Sequence, residues 1–180
     1  MSQITTPRST VWITRHDGPR DELRELFEMA EDSPIQLNAY INDGDVLVAH
    51  AMGDGIVGHL QLVPAEVDAG EIKNTAVTPR YRRQGVGTAL IHRAIEVGHR
   101  NGWKQLFVRT ATADTANLRF YQKLGFRCIA IEPDAFTPAK GYPAGLVVDG
   151  IPLRDGILLS LLLGQNHRAN GARSHSWAYP

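Results

Sequence analysis

The sequence predicts an α/β (α+β) fold in which a single mixed β-sheet is flanked by helices. Two patterns lead to this prediction. Residues 45–52 and 56–63 are apolar-rich runs joined by Gly53, Asp54 and Gly55, which favour a tight turn between antiparallel strands. Residues 71–131 then alternate between strand and helix signals. With 180 residues, of which 43% are apolar, the chain has the size and composition of one globular domain.

The N-terminal part is predicted to begin with a strand and a helix. Residues 11–14 alternate between apolar and polar side chains, and Gly18 with Pro19 marks the turn that follows. In residues 20–31 apolar side chains recur at helical spacing, while acidic side chains occupy most of the remaining face. We therefore expect a helix with one acidic face.

The order predicted for the C-terminal part is strand, helix, strand, helix, strand. The five segments are residues 71–77, a long helix that begins after Gly85 and ends at Asn101, and residues 106–108, 113–124 and 126–131. Residues 157–163 are apolar and predict a buried strand. We assign residues 1–163 to a single domain and residues 164–180 to a polar C-terminal tail.

The composition excludes several classes of protein. Cys128 is the single cysteine, so an intramolecular disulfide cannot form, and we expect its side chain to be buried as a small apolar residue. No secretory signal is visible, and the longest apolar run, residues 157–163, is too short to span a membrane. We therefore expect a cytoplasmic protein with no membrane partner.

The charges divide along the chain although the net charge is zero. Residues 1–79 carry thirteen acidic and five basic side chains, whereas residues 80–180 carry six acidic and fourteen basic ones. A site in the first part would favour a cation, and a site in the second part an anion.

The most informative segment is the loop at residues 82–88, between a predicted strand and a predicted helix. Glycines at positions 85 and 87 let a ligand approach the backbone, and the unpaired amides of the first helical turn favour an anion. A nucleoside triphosphate loop would have a Lys after its last glycine, where Thr88 stands. A dinucleotide loop would have a third glycine, where Leu90 stands. The loop therefore predicts a phosphate site of another kind.

These residues resemble the GNAT superfamily of acetyl-coenzyme A dependent N-acetyltransferases. Arg82, Gly85 and Gly87 meet the loop pattern of that family, and Asn117 with residues 120–126 meets a second block about thirty residues downstream. The resemblance covers roughly residues 10–163 and implies a mostly antiparallel sheet with a splayed strand. It implies that acetyl-CoA is the cosubstrate and that its pyrophosphate is held by the loop backbone. The residues that would hold it are Arg82, Arg83, Gln84, Gly85, Val86, Gly87 and Thr88.

The resemblance also implies roles in catalysis. The backbone amide of Val77, at the end of the splayed strand, would bind the coenzyme and polarise the thioester carbonyl. Asn117 would bind the coenzyme arm, and Tyr121, four residues further along the helix, would bind the coenzyme and give a proton to the departing thiolate. Glu71 would act as general base, since an alkylamine is mostly protonated at neutral pH. Strand alternation places Glu71, Lys73 and Thr75 on the side of Val77, and Asn74 on the other.

The resemblance predicts direct transfer of an acetyl group to a primary amine in a ternary complex, with a small and cationic acceptor favoured over a protein. The alternative is a catalytically silent module of the same fold that binds acyl-CoA and regulates a partner. The seven histidines show no pair at ligand spacing, so no metal is assigned, and no nucleic-acid partner is expected. Residues 133–152, rich in Pro and Gly, are predicted to form a loop that either lines the acceptor cleft or makes a contact in a homodimer.

Overall fold

The computed structural model describes residues 2–6, 10–65 and 67–164. Its ten strands are β1 Ser2–Thr5, β2 Thr10–His16, β3 Asp45–Ala51, β4 Gly55–Pro64, β5 Ala69–Val77, β6 Gln105–Ala111, β7 Arg127–Glu132, β8 Val147–Val148, β9 Ile151–Pro152 and β10 Gly156–Leu162. Its four α-helices are α1 Arg24–Glu28, α2 Pro34–Tyr40, α3 Val86–Arg100 and α4 Thr115–Lys123. Apart from Gly164, the predicted tail lies outside the described residues.

Eight of these strands form one mixed, mostly antiparallel sheet in the order β1-β2-β3-β4-β5-β6-β10-β7, which confirms the predicted fold class. The predicted hairpin is the β3–β4 pair, and the apolar run near the C-terminus is β10. Among the described strands one pair, β5 with β6, runs parallel, and α3 makes the crossover between them. A parallel pair requires such a crossover, whereas antiparallel neighbours can be joined by a short turn.

The sheet splays open between β5 and β6. The two strands pair from Ala69 opposite Gln105 to Ile72 opposite Val108. Beyond this point β5 continues to Val77 along β4, and β6 continues to Ala111 along β10. The carboxyl ends of the two parallel strands are therefore separated, and the gap between them can admit a ligand.

Helices cover both faces of the sheet. On one face α3 and α4 bury a large apolar cluster with the strands, in which Leu60, Leu90 and Leu106 are fully buried. On the other face α1 and α2 bury a smaller cluster that includes Phe27 and Leu37. Burying apolar surface on both faces stabilises the sheet at about 25 cal/mol per Å² and holds the two walls of the gap in place.

The segment predicted as one helix over residues 20–31 is instead a 3₁₀ turn, Arg20–Leu23, followed by the short α1. The helix α2 follows it and was not predicted, because seven residues give little periodicity. The signal that marks α2 is Ser33, whose side chain accepts a hydrogen bond from the Gln36 N–H, with Pro34 at the first helical position. The prediction that Cys128 is buried was wrong, because β7 is an edge strand and the thiol is exposed.

Candidate active site

The gap between β5 and β6 forms a cleft of about 950 Å³. One end is lined by the loop before α3 and by the first turns of α3 and α4. The other end is lined by the segment between α1 and α2 and by parts of residues 135–153. The cleft thus joins a basic part of the chain at one end to an acidic part at the other.

The backbone at the first end is arranged for an anion. Gly85 precedes α3 with a φ of 84°, and none of the described side chains caps the helix. The first helical hydrogen bond runs from the Ala89 N–H to the Gly85 carbonyl, so the amides of Val86, Gly87 and Thr88 precede the helical ladder. Unbonded amides at the positive end of a helix dipole are a binding site for phosphate.

Gly87 packs closely against neighbouring side chains and has no side chain of its own to cover the backbone at this end of the cleft. A Cβ atom at position 87 would lie 3.3 Å from the ring of Phe120 and 3.9 Å from a methyl group of Val77. A larger side chain would have to displace the ring or occupy the space in front of the amides. The glycine therefore provides the close approach that the sequence predicts at this position.

The predicted loop residues differ in whether their side chains reach the cleft. Arg82 and Arg83 are exposed at its edge, and the Arg82 Nε donates to the Val77 carbonyl at 2.9 Å. The side chain of Gln84 donates back to the Arg80 carbonyl, and that of Val86 is buried in the core. Neither Gln84 nor Val86 is among the residues that line the cleft, so any contribution from them must come from their backbone.

An aspartate that no sequence pattern marks holds this loop in place. The carboxylate of Asp54, in the β3–β4 turn, accepts a 2.5 Å hydrogen bond from the Tyr81 hydroxyl and forms a 2.9 Å ion pair with Arg80. The Tyr81 ring is 2% exposed, so the hairpin tip is tied to the buried base of the loop. Tyr81 and Asp54 are 27 positions apart, and no local pattern connects them.

The end of β5 presents a backbone donor to the gap. The Thr78 N–H donates to the Val57 carbonyl of β4 at 2.9 Å. Because successive N–H groups along an extended strand point to opposite edges, the Val77 N–H is directed away from β4 and towards the gap. A carbonyl oxygen placed there would meet a fixed hydrogen-bond donor.

Glu71 lies on β5 in the middle of the cleft, and its side chain is 13% exposed. Its Oε1 atom forms a 2.9 Å ion pair with Arg109 and a 3.6 Å ion pair with Lys73. Arg109 also forms a 3.0 Å ion pair with Glu132. The carboxylate of Glu71 is therefore compensated by two cations, a network that the sequence did not predict.

A bulge at Lys73 changes the predicted alternation of β5. Leu62 pairs with Ile72 and Gln61 with Asn74, so Lys73 is an extra residue in the strand. As a result Lys73 lies over the ring of Tyr40, while the Asn74 side chain donates to the Tyr40 hydroxyl at 2.9 Å. The prediction that Lys73 and Asn74 face opposite sides was wrong, because both reach α2.

Tyr121 and Asn117 lie on α4 and line the cleft, as their spacing predicts. The Tyr121 side chain is 3% exposed and packs edge-on against Phe120 and Phe126. Burial, together with the charge of Asp114, raises the pKa of the Tyr121 phenol, so the phenol keeps its proton at neutral pH. The side-chain amide of Asn117 donates to Asp114 at 2.7 Å, which orients it at the start of the helix.

The opposite end of the cleft is closed by residues 133–152. The Ser33 hydroxyl donates to the Gly141 carbonyl at 2.7 Å, and the Gln36 side chain donates to the Lys140 carbonyl at 2.8 Å. Phe136 and Tyr142 of this segment pack against each other and line the cleft. The segment therefore lines the cleft, which was one of the two possibilities that the sequence left open.

The cleft brings together most of the site residues that the sequence predicted. Its walls include Glu71, Val77, Arg82, Arg83, Gly85, Gly87, Thr88, Asn117 and Tyr121. Within residues 2–6, 10–65 and 67–164, no three His, Cys, Asp or Glu side chains form a group that could hold a metal ion. Over the same residues no helix has the length and apolar character needed to cross a membrane.

Comparisons with known proteins agree with this geometry. The chain is 32% identical to the uncharacterized N-acetyltransferase YvbK of Bacillus subtilis over 141 residues, which cover 78% of this chain and 89% of that protein. The solved structure of an IAA acetyltransferase from Bacillus cereus superimposes with a TM-score of 0.77 at 31% identity, covering 84% of this chain and 99% of that one.

A second solved structure was determined with a ligand. It is a GNAT family acetyltransferase from Elizabethkingia anophelis with acetyl-CoA bound, which superimposes with a TM-score of 0.76 at 29% identity. The superposition covers 84% of this chain and 97% of that one. The model of the Acetyltransferase (GNAT) family matches residues 10–126. The chain therefore belongs to the GNAT family of acetyltransferases.

Proposed function

We propose that this protein transfers an acetyl group from acetyl-CoA directly to a primary amine of a small, cationic acceptor. The observation that carries the proposal is the convergence of three features on one cleft. These are the unbonded amides at the start of α3, the Val77 N–H in the gap and the buried phenol of Tyr121. The similar protein from Elizabethkingia anophelis binds acetyl-CoA, which supports the choice of cosubstrate.

The amides of residues 86–88 fit the pyrophosphate of the coenzyme, and the exposed Arg82 and Arg83 add positive charge at its edge. With the pyrophosphate at this position, the coenzyme arm runs past Asn117 towards the gap. The thioester carbonyl then accepts a hydrogen bond from the Val77 N–H. Such a donor stabilises the negative charge that develops on oxygen in the transition state.

The reaction proceeds without an acyl-enzyme. The lone pair of the neutral amine attacks the thioester carbon, the new C–N bond forms and the C–S bond breaks. The leaving sulfur takes the phenolic proton of Tyr121, and the amine gives up its extra proton to Glu71 through water. Products are an amide and free coenzyme A, and Tyr121 and Glu71 exchange their protons with solvent afterwards.

Charge and shape support a small cationic acceptor. Glu31 and Asp32 line the end of the cleft opposite the anion site. Residues 140 and 141 are hydrogen-bonded to α2 across this end, which narrows the entry for a protein chain. A catalytically silent module would need neither a buried phenol nor a carboxylate in the same cleft, and both are present.

The experiment that tests the proposal is a screen of primary amines, read as thiol release from acetyl-CoA. We expect release that depends on the amine, with the acetylated amine found by mass spectrometry. Incubation with acetyl-CoA alone should leave the protein unmodified. An acetylated protein trapped without acceptor would contradict direct transfer, and absence of release with every amine would favour the silent module.

Replacing Glu71 with Gln should lower kcat/KM by about 100-fold at neutral pH, since the variant lacks the proton acceptor. The deficit should shrink as the pH approaches the amine pKa near 10.4, where the acceptor loses its proton unaided. The measurement is kcat/KM against pH for both proteins. A constant deficit at every pH would show that Glu71 acts by holding Arg109 and Lys73 in place rather than as a base.

Replacing Asp54 with Ala should weaken acetyl-CoA binding by about tenfold, the effect of losing roughly 1.4 kcal/mol. The Tyr81 hydroxyl and Arg80 lose a shared partner, so the loop amides become less ordered. Calorimetric titration with coenzyme A provides the measurement, and Tyr81→Phe removes the same hydrogen bond from the other side. Unchanged affinity in both variants would show that the loop holds its shape without this anchor.

A further inference from the structure

Glu31 lies between α1 and α2 at the acceptor end of the cleft, and its side chain is half-buried. It accepts hydrogen bonds from the Ser33 N–H at 3.0 Å and from the Tyr40 hydroxyl at 3.2 Å, and the Tyr142 hydroxyl lies near it. All three groups are neutral. The carboxylate is therefore oriented by its surroundings, while its charge is not compensated by them.

No Lys, Arg or His among the described residues forms an ion pair with Glu31. Burial raises the pKa of the Glu31 carboxyl above its usual value, and the neighbouring Asp32 adds to this shift, while the Ser33 N–H and the hydroxyls of Tyr40 and Tyr142 oppose it. Basic side chains do not contribute to this shift. A buried carboxylate without a cation is costly, and a cationic ligand would relieve the cost.

Glu71, in the same cleft, has the opposite surroundings. Two cations, Arg109 and Lys73, already pair with its Oε1 atom. Lys73 also lies over the Tyr40 ring, 5.2 Å from its centroid, but its ion pair is with Glu71. Of the two carboxylates, Glu31 is thus the one whose negative charge is available to a cationic ligand.

Aromatic side chains lie near the same position. The Tyr40 hydroxyl donates to the Glu31 carboxylate, the Tyr142 hydroxyl lies near it, and Phe136 packs edge-on against Tyr142 at a centroid distance of 5.0 Å. All three rings belong to residues that line the cleft. Aromatic faces beside a carboxylate favour an organic ammonium group over a small hydrated cation.

Glu31 and the thioester position lie at different places along β5. The chain of contacts from Glu31 runs through the Tyr40 hydroxyl to Asn74. Asn74 lies three residues before Val77, which is about 10 Å along an extended strand. A group bound at Glu31 therefore occupies a different position from the nitrogen that attacks near Val77.

We propose that the acceptor carries a second cationic group, which binds at Glu31 between Tyr40 and Tyr142 while its primary amine reacts near Val77. The acceptor is then a molecule of the diamine class, with two ammonium groups separated by a linker. This inference rests on the proposed function. It makes Glu31 a residue that determines specificity and leaves the chemical step to Glu71 and Tyr121.

The test compares linear alkane diamines of increasing length with amino alcohols of the same length, in which a hydroxyl replaces the remote ammonium group. The wild-type protein should acetylate the best diamine with a kcat/KM at least about tenfold above that of its amino alcohol. Glu31→Gln keeps the size of the side chain and a hydrogen-bond acceptor while removing the charge. It should abolish the preference and leave kcat/KM for the amino alcohol within about threefold of wild type.

Glu28→Gln is the matched control. Glu28 is an exposed residue of α1 that carries the same charge, and it pairs with Arg24 outside the cleft. It should retain the preference for the diamine. The inference is overturned if the wild-type protein shows no preference, or if Glu31→Gln lowers both activities equally. The latter result would assign Glu31 the purely structural task of holding α2 and Tyr40.

A binding measurement tests this inference independently of the proposed function. Calorimetric titration of each diamine into the protein saturated with coenzyme A measures recognition without turnover. Tighter binding of the diamine than of the amino alcohol, lost in Glu31→Gln, would support the inference even if acetylation were absent. Equal binding of the two ligands would overturn it whether or not acetylation occurs.

Discussion

Replacing Tyr121 with Phe is expected to lower kcat by about 100-fold while leaving the affinity for coenzyme A within about threefold of wild type. The substitution removes the proton donor, whereas the ring keeps its edge-on contacts with Phe120 and Phe126. The effect lies at the lower end of the range for general acid catalysis. A thiol ionises near pH 8.5, so the sulfur can partly leave without a proton.

Single-turnover kinetics and calorimetric titration with coenzyme A measure the two quantities separately. Tyr81→Phe is a useful comparison, since the same atom is removed but the expected change is in coenzyme affinity. Thermal denaturation of both variants checks the fold. Equal turnover in Tyr121→Phe would exclude the proposed role, and a parallel loss of affinity would assign Tyr121 to packing alone.

Replacing Gly87 with Leu is expected to weaken binding of coenzyme A by about 100-fold or more. The added Cβ would lie 3.3 Å from Phe120, so the rest of the side chain must displace that ring or occupy the space in front of the α3 amides. Leucine is a better helix former than glycine, so α3 itself should not be weakened. The loss should therefore come from blocked access of the pyrophosphate to the backbone.

Calorimetry with coenzyme A and a thermal denaturation curve for each protein give the comparison. Gly87→Ala is the matched control, because it adds the Cβ alone and requires Phe120 to move by only a few tenths of an ångström. It should bind coenzyme A far better than the leucine variant. If the leucine variant is folded and binds as tightly as wild type, the anion site at the start of α3 is wrongly assigned.

Local patterns in the sequence were sufficient for much of the fold. The glycine-rich turn predicted the β3–β4 hairpin, helical spacing after Gly85 predicted α3, and both are confirmed. The loop at residues 82–88 and the block around Tyr121 were enough to identify the family, which the family model confirms. These signals could be interpreted because turn chemistry and periodicity depend on residues that are neighbours in the chain.

Other parts of the site could not be predicted in this way. The bulge at Lys73 interrupts the alternation of β5 and turns both Lys73 and Asn74 towards Tyr40. A bulge depends on the register with the partner strand β4, and β5 alone shows no signal for it. The compensation of Glu71 by Arg109 likewise depends on how closely β5 and β6 approach before they separate.

The sequence by itself predicted the alternation of strands and helices over residues 71–131, the loop at residues 82–88 as a candidate anion site and the residue types available for acetyl transfer. The tertiary structure alone decided which carboxylates are compensated and which segment lines the end of the cleft beside Glu31. Ser33 meets Gly141 across 108 positions, and that contact brings Tyr142 to Glu31. Such pairings arise only when burial of the two apolar faces brings distant segments within hydrogen-bond distance, which no local pattern records.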